Sequence, residues 1–373
     1  MASEYRARLR SLQDRLESQH VTQILVTDPY SIYYYTGVLV DPMERLWLLI
    51  VPYKGRPCLV ANELFRFQVD DIFQVLRTKD QDDFGQLVKR LPLEEVGNFG
   101  IDKQMTANYL LPLITTYPLS NFSLASHLVD QQRGVKSAGE QELMRQASAL
   151  NDQAMARLVE EVLPYGPSEI EACQALEKIY REVGADGGFS FEPIVAYGAN
   201  GADPHHLSDH SRPQVGDAIV VDIGCRHQGY CSDMIRTFYY GQVSDKDRAL
   251  YQLTLEAQEA GIAAVKVGQA TFQAIDSACR TTIAQAGYGD CFIHRTGHFI
   301  GQETHEAGDV SQANTQVVQA GQCFSIEPGI YLEDETAVRI EDLVIAQADG
   351  VEIINHYPKE LTVIPVKGER ERG

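Results

Sequence analysis

FSIEPGIYLEDETAVRIED, residues 324–342, decides how the second half of this chain is read. Its apolar residues fall on either side of the polar turn Glu333-Asp334-Glu335, which predicts strands over 323–331 and 336–344. A three-residue loop centred on Asp334 sets Glu327 opposite Glu341, with Cβ atoms only about 4.5–5.5 Å apart. At an effective dielectric of about 20, two carboxylates roughly 5 Å apart repel by about 3 kcal/mol. Such a pair lies on a solvated face where water screens it, or it shares a proton or a cation.

A second hairpin repeats the arrangement. DAIVVDIGCRH (217–227) and YCSDMIRTFYY (230–240) read as strands, and a two-residue loop at His227-Gln228 pairs Asp222 with Asp233. Two hairpins that each set two acids face to face, at strand positions that disfavour Asp and Glu, point to a bound cation. Between them, HRTGHFIGQETHE (294–306) supplies His294, His298 and His305 at spacings of four and seven. A helix would align the three on one face, whereas Gly297 and Gly301 suit a loop or irregular strand. Oxygen ligands suit Mg, Ca or Mn, and imidazole draws the choice toward transition metals. The polar loop GANGADPHHLSD (198–209) exposes His205 and His206 with no evident structural duty.

Around these hairpins the periodicity predicts helices over 138–163, 168–183, 245–265 and 271–286, strands over 189–198 and a last strand near 361–365. The expectation is an α+β domain, helices covering one face of a mainly antiparallel sheet. Residues 1–130 read differently, as an amphipathic first helix followed by alternating strands and helices of α/β type. ILVTDPYSIYYYTG (24–37) gives a strand, a turn at Asp28-Pro29 and an aromatic helical turn ending on Gly37, and RLWLLIVPYKGRPCLVAN (45–62) gives two strands around Lys54-Gly55. The run Tyr33-Tyr34-Tyr35 is read as packing. The periodicity breaks over 127–136, so the domains expected are 1–130 and 131–373.

The composition is that of an ordinary soluble globular protein. Of 373 residues 44% are apolar and 23% charged, and the longest apolar run, 46–51, is too short to span a bilayer. The N-terminus lacks a signal-peptide apolar core, so the cytoplasm is the expected location. Seven cysteines without CxxC spacing argue for reduced thiols rather than disulfides or a zinc ribbon. A net charge of −20 disfavours nucleic acid and anionic membrane as partners.

The motifs VVDIG, YCSDMIRT, GHFIGQETHE, FSIEPGIY and VRIED, in that order, resemble those of the pita-bread metallopeptidases, which include methionine aminopeptidase, aminopeptidase P and prolidase. DPYSIYYYTG resembles the creatinase-type domain that precedes the catalytic domain in the proline-specific branch. The resemblance implies that Asp222, Asp233, His298, Glu327 and Glu341 bind two divalent ions, most often Mn2+, with Co2+ or Zn2+ as alternatives. Asp233 and Glu341 would bridge them. It further implies a metal-activated hydroxide attacking the carbonyl before proline, with Glu327 carrying the proton. His205 and His305 would face the oxyanion and the substrate, and His294 would line the proline pocket. Arg339, two residues before Glu341 on one strand face, would orient that ligand. An X–Pro bond has no N–H for ordinary peptidases to grip, which is why a dedicated enzyme exists.

The resemblance implies a homodimer acting on small peptides with proline second: a prolidase, or alternatively an Xaa-Pro aminopeptidase on longer peptides. A metal-free creatinase-like amidinohydrolase or a non-catalytic scaffold on the same fold would lack ligands that this chain retains. Three departures stand out. Phe299 occupies a common Gly position, as in some prolidases, and Ile235 replaces a common Thr. No Lys or Arg lies between Glu306 and Val338 to read a substrate carboxylate, which leaves Arg295 or Arg212.

Overall fold

The computed structural model describes residues 2–368, in two compact units, Met1–Arg133 and Gly134–Gly373. In the first unit α1 (Ala2–Ser18) precedes β1 (Gln23–Val26), and Asp28 caps α2 (Pro29–Thr36), which ends on Gly37 in the left-handed region. Next come β2 (Trp47–Pro52), β3 (Cys58–Asn62), β4 (Gln74–Thr78), α3 (Phe84–Leu87), β5 (Asn98–Ile101), α4 (Ala107–Thr116), β6 (Asn121–Leu124) and α5 (Ser126–Gly134). The strands form one mixed sheet, β4-β3-β2-β1-β5-β6. Its central strands are buried on both faces, as a sheet covered by helices on both sides requires. Tyr34 and Tyr35 lie in this core. The break expected over 127–136 is instead the helix α5, and the units divide at its end.

In the second unit Ser137 and Ser168 form capping boxes that start α6 (Ala138–Arg157) and α7 (Glu169–Val183). The helix expected to run to 163 widens into a π-turn at Leu158–Val162. Then follow β7 (Ile194–Tyr197), β8 (Ala218–Ile223), β9 (Arg226–His227), β10 (Tyr230–Cys231) and β11 (Met234–Tyr240). The strand expected over 189–198 is thus only its last part. Next come α8 (Asp245–Ala264), α9 (Phe272–Gln285), β12 (Gly297–Phe299), β13 (Glu306–Val310), β14 (Cys323–Ile326), β15 (Gly329–Leu332), β16 (Thr336–Arg339), β17 (Asp342–Gln347), β18 (Gly350–Ile353) and β19 (Thr362–Ile364). The larger sheets run β19-β11-β8-β7 and β13-β12-β14-β17-β18, and β9-β10 and β15-β16 form two-stranded ribbons; all neighbours are antiparallel except β11 and β19. Helices α6 and α7 share a core with the first sheet, α8 and α9 with the second. The unit is α+β.

Both acid-bearing hairpins exist, with one correction of register. Tyr230 pairs with His227, so the loop is Gln228-Gly229, whose φ angles of 48° and 85° fit a type I′ turn. Asp222 therefore faces Ile235, not Asp233. Displacing a two-residue loop by one position moves each partner by two, so Asp222 and Asp233 keep the same face as diagonal neighbours. In the other hairpin the pairs Gly329–Arg339 and Ile326–Asp342 bracket Glu327 and Glu341 in the expected register, and Asp334 takes the turn's left-handed position with φ 57°. Each strand expected to be continuous breaks at the acid. The Glu327 N–H leaves its partner to bond Thr296 O, and the Glu341 N–H bonds Ile235 O on β11. The first bond ties β14 to the start of β12 within one sheet, and the second joins that sheet to β11 of the other at the acid.

Candidate metal centre

Strand ends supply every acid of the cluster. Asp222 is on β8, Asp233 just before β11, Glu327 just after β14 and Glu341 just before β17. His298 is on β12, so the His294–His305 stretch is not a helix. β12 runs so close to β14 that a Cβ on Gly297 would lie 2.0 Å from the Ser325 carbonyl oxygen, which is why glycine precedes His298. Ligand atoms of Asp233, His298 and Glu341 lie within 4.8 Å of one another. His298 Nε2 is 3.5 Å from both Asp233 Oδ2 and Glu327 Oε1. The Phe299 carbonyl, 3.2 Å from His298 Nδ1, can only accept, so Nδ1 holds a proton and Nε2 faces the acids. Ser325 accepts from the His298 N–H and donates to Glu327 Oε1 at 3.1 Å.

Glu341 is 1% exposed, yet neither of its carboxylate oxygens meets a donor; the same holds for Asp222 Oδ1. Unpaired buried charge is prohibitively costly. Burial pushes the Asp222 carboxyl up to about 8, with Asp233 and Glu327 adding to the shift against the pull of Arg339. Burial likewise raises Glu341 well above the glutamate range, reinforced by Asp233, Glu327 and Asp222, and raises Asp233. Burial opposes the charged form of His298, but Asp233 and Glu327 outweigh it and leave the imidazole raised. Acids that bind protons this tightly gain most from a divalent cation, so the residues fit the metal expected of them.

The surrounding residues depart from expectation in two places. Arg339 does not reach Glu341: its Nη2 donates to Asp222 Oδ2 at 2.7 Å and its Nη1 to the Tyr331 hydroxyl at 3.0 Å. Its backbone is docked on Thr237 of β11, which carries the guanidinium toward β8. Glu341 is held instead through its main chain, whose carbonyl accepts from the buried Arg236. His206 has a structural duty after all, its Nε2 lying 2.7 Å from the buried carboxylate of Glu169.

His294 Nδ1 bonds Arg295 O at 2.7 Å and Nε2 lies 2.8 Å from the Tyr331 hydroxyl, so it offers a ring face rather than a free nitrogen. His305 is exposed, its ring 4.1 Å from that of His298. Desolvation of the ring where it packs on His298, then the charges of His298, Arg295 and His205 against the opposing pull of Glu327, lower His305 to about 4, so it is neutral at pH 7. His205 is exposed as well. Ile235 is buried and contributes only its carbonyl, while Phe299 packs between Phe272 and Phe324, away from the acids. Arg212 is occupied by Gly166 O and Glu171. Tyr331 and Ser325 were missed from sequence. Ser325 could have been found by strand alternation from Glu327, whereas Tyr331 matters through contacts with His294 and Arg339 that no spacing announces.

An α+β unit with buried, donor-poor carboxylates and an imidazole at the ends of its strands has the donor set of a divalent-metal protein. Residues 142–348 match the model of metallopeptidase family M24 and residues 8–135 that of the creatinase/prolidase N-terminal domain. The chain belongs to the M24 metallopeptidases, with the pita-bread fold preceded by a creatinase-type domain. It is 33% identical over 368 residues to an Xaa-Pro dipeptidase of Lactobacillus delbrueckii subsp. lactis, covering 96% of this chain and 99% of that one. The structure of a prolidase from Thermococcus sibiricus superposes with TM-score 0.88 at 31% identity, covering 96% and 99% of the two chains. An X-Pro aminopeptidase from Thermotoga maritima gives 0.80 at 28%, covering 94% and 100%. Among the described residues no helix is long and apolar enough to cross a membrane.

Proposed function

We propose that this metallopeptidase hydrolyses the Xaa-Pro bond, with dipeptides as its substrates. The observation that carries the reading is the convergence of Asp222, Asp233, His298, Glu327 and Glu341, with three buried carboxylate oxygens left for a cation. These five would hold two divalent ions, manganese before cobalt or zinc by family resemblance. When bound, the ions supply an acidified water and a Lewis acid for the scissile carbonyl.

The chain's own residues do the rest. Burial works to raise Glu327, but His298, His294 and Arg339 together leave it below the usual glutamate range, so it is ionised and ready to accept a proton at pH 7. It takes the proton of the attacking water and returns it to the prolyl nitrogen. The imidazole of His305, neutral at pH 7, and that of His205 present N–H groups to the developing oxyanion. The ring of His294, held by Tyr331, flanks the proline. Arg339 fixes Asp222. Arg295, beside His294 and felt electrostatically by His305, meets the free carboxylate of a dipeptide.

The Xaa-Pro dipeptidase and prolidase relatives support the dipeptide reading, and the likeness to an X-Pro aminopeptidase keeps longer peptides as the second reading. Cleavage of Ala-Pro with manganese, and its absence with Ala-Pro-Ala, is the expected outcome; activity on the tripeptide alone reverses the order. By the same resemblance the reading includes a homodimer, and its free cysteines support residence in the reducing cytoplasm.

A further inference from the structure

His205 stands on a loop that leaves β7 at Tyr197 and returns beside the start of α7. One side chain closes that loop. Glu169, the first residue of α7, is 0% exposed. Its Oε1 accepts from Tyr197 N and Asn200 Nδ2, both at 2.9 Å. Its Oε2 accepts from Asp209 N at 2.8 Å and lies 2.7 Å from His206 Nε2. All four donors belong to the loop, drawn from its beginning, its middle and its end. The main chain adds Glu169 N to Ser211 O and Ile170 N to Asp209 O.

A carboxylate offers about four lone-pair directions. Those of Glu169 are all used. The grouping Glu169–His206–Asp209, although its ligand atoms fall within 4.8 Å, is therefore a clip rather than a cation site. A charge this deeply buried is costly and is retained where it fixes a conformation. What it fixes is the stretch around His205. His206 is tied to Glu169 on one side, and on the other Asp203 Oδ1 accepts the His205 N–H at 2.9 Å. The His205 ring itself is left exposed.

We propose that Glu169 is a positioning residue that holds His205 toward the reacting carbonyl, acting through His206 and the loop backbone. The inference rests on the role given to His205 above.

Glu169→Gln keeps the size but sets an amide N–H2 against backbone donors. In the manganese-loaded enzyme it should lower kcat/KM on Ala-Pro by about 10²-fold, the scale of an ångström-level misplacement. Bound metal per chain should match the wild type. Placed in a His205→Ala background, the same substitution should cost no more than about twofold, because the group it positions is gone. Equal losses in both backgrounds overturn the proposal. In the metal-free chain, amide exchange over 198–209 should rise about tenfold in Glu169→Gln while β8 and β11 stay protected; unchanged exchange in the loop also overturns it. Asn200→Ala, which deletes one donor and leaves the acid, should repeat both patterns more weakly and decides the matter if Glu169→Gln does not fold. Full activity of His205→Ala alone sinks the role of His205, and this proposal with it, without touching the metal ligands. If the wild-type chain cleaves no Xaa-Pro bond, the proposed function falls, and the exchange measurement still decides whether Glu169 holds the loop.

Discussion

Two groups of acid and imidazole in this chain look alike by composition and differ in what their oxygens touch. In Asp233–His298–Glu341 both carboxylate oxygens of Glu341 are buried without a donor; in Glu169–His206–Asp209 both oxygens of Glu169 have two partners each. A metal site is recognised by unspent lone pairs at the end of converging strands, and a clip by lone pairs already spent on one loop.

The comparison breaks most visibly if the two groups are neutralised in turn. Glu341→Gln should abolish retention of divalent metal through dialysis and lower Xaa-Pro turnover by more than about 10³-fold, the loss of several kcal/mol of electrostatic stabilisation. Asp222→Asn should likewise stop turnover without unfolding the chain. Retention of full metal content by Glu341→Gln, measured by elemental analysis, would place the cation elsewhere.

Next in size is the response to metal and pH. Asp222 is pushed up to about 8 in the fold, against about 3.9 for an exposed aspartate. The folded chain therefore binds the extra proton between those values, so metal-free stability falls as pH rises through the window. Divalent metal takes the proton's place. Thermal melts should show manganese adding about 3–4 kcal/mol at 10²–10³ times its Kd at pH 8, and distinctly less at pH 5.5. Equal stabilisation at both pH values would mean that these carboxylates do not bind it.

A smaller effect sharpens the role of the surroundings. Arg339→Lys keeps the charge but cannot serve Asp222 and the Tyr331 hydroxyl together, and should cost about 10-fold in kcat/KM with metal content intact. The smallest belongs to Phe299, whose ring packs on Phe272 and Phe324 rather than on the acids. Phe299→Leu should lower stability by up to about 1.5 kcal/mol and leave kcat/KM unchanged, measured by denaturant unfolding and by Ala-Pro hydrolysis.

Local rules carried the reading of each hairpin. The register that brackets Glu327 and Glu341 follows from loop length and a residue able to take the left-handed position, both visible at Glu333-Asp334-Glu335. The shared face of Asp222 and Asp233 survived the displaced loop because strand alternation has a period of two. The helix in place of a break at 127–136 escaped for the opposite reason, since its polar stretch is stabilised by packing rather than by its own periodicity.

Thus the sequence by itself determined the two acid-bearing hairpins and the helices begun by their serine caps, because these depend on residues close along the chain. Only the tertiary structure decided that Arg339 grips Asp222 rather than Glu341, that Tyr331 joins it to His294, and that Glu169 spends its charge on the loop of His205. Those partners are separated by up to 117 residues, and only tertiary packing brings them within a hydrogen bond.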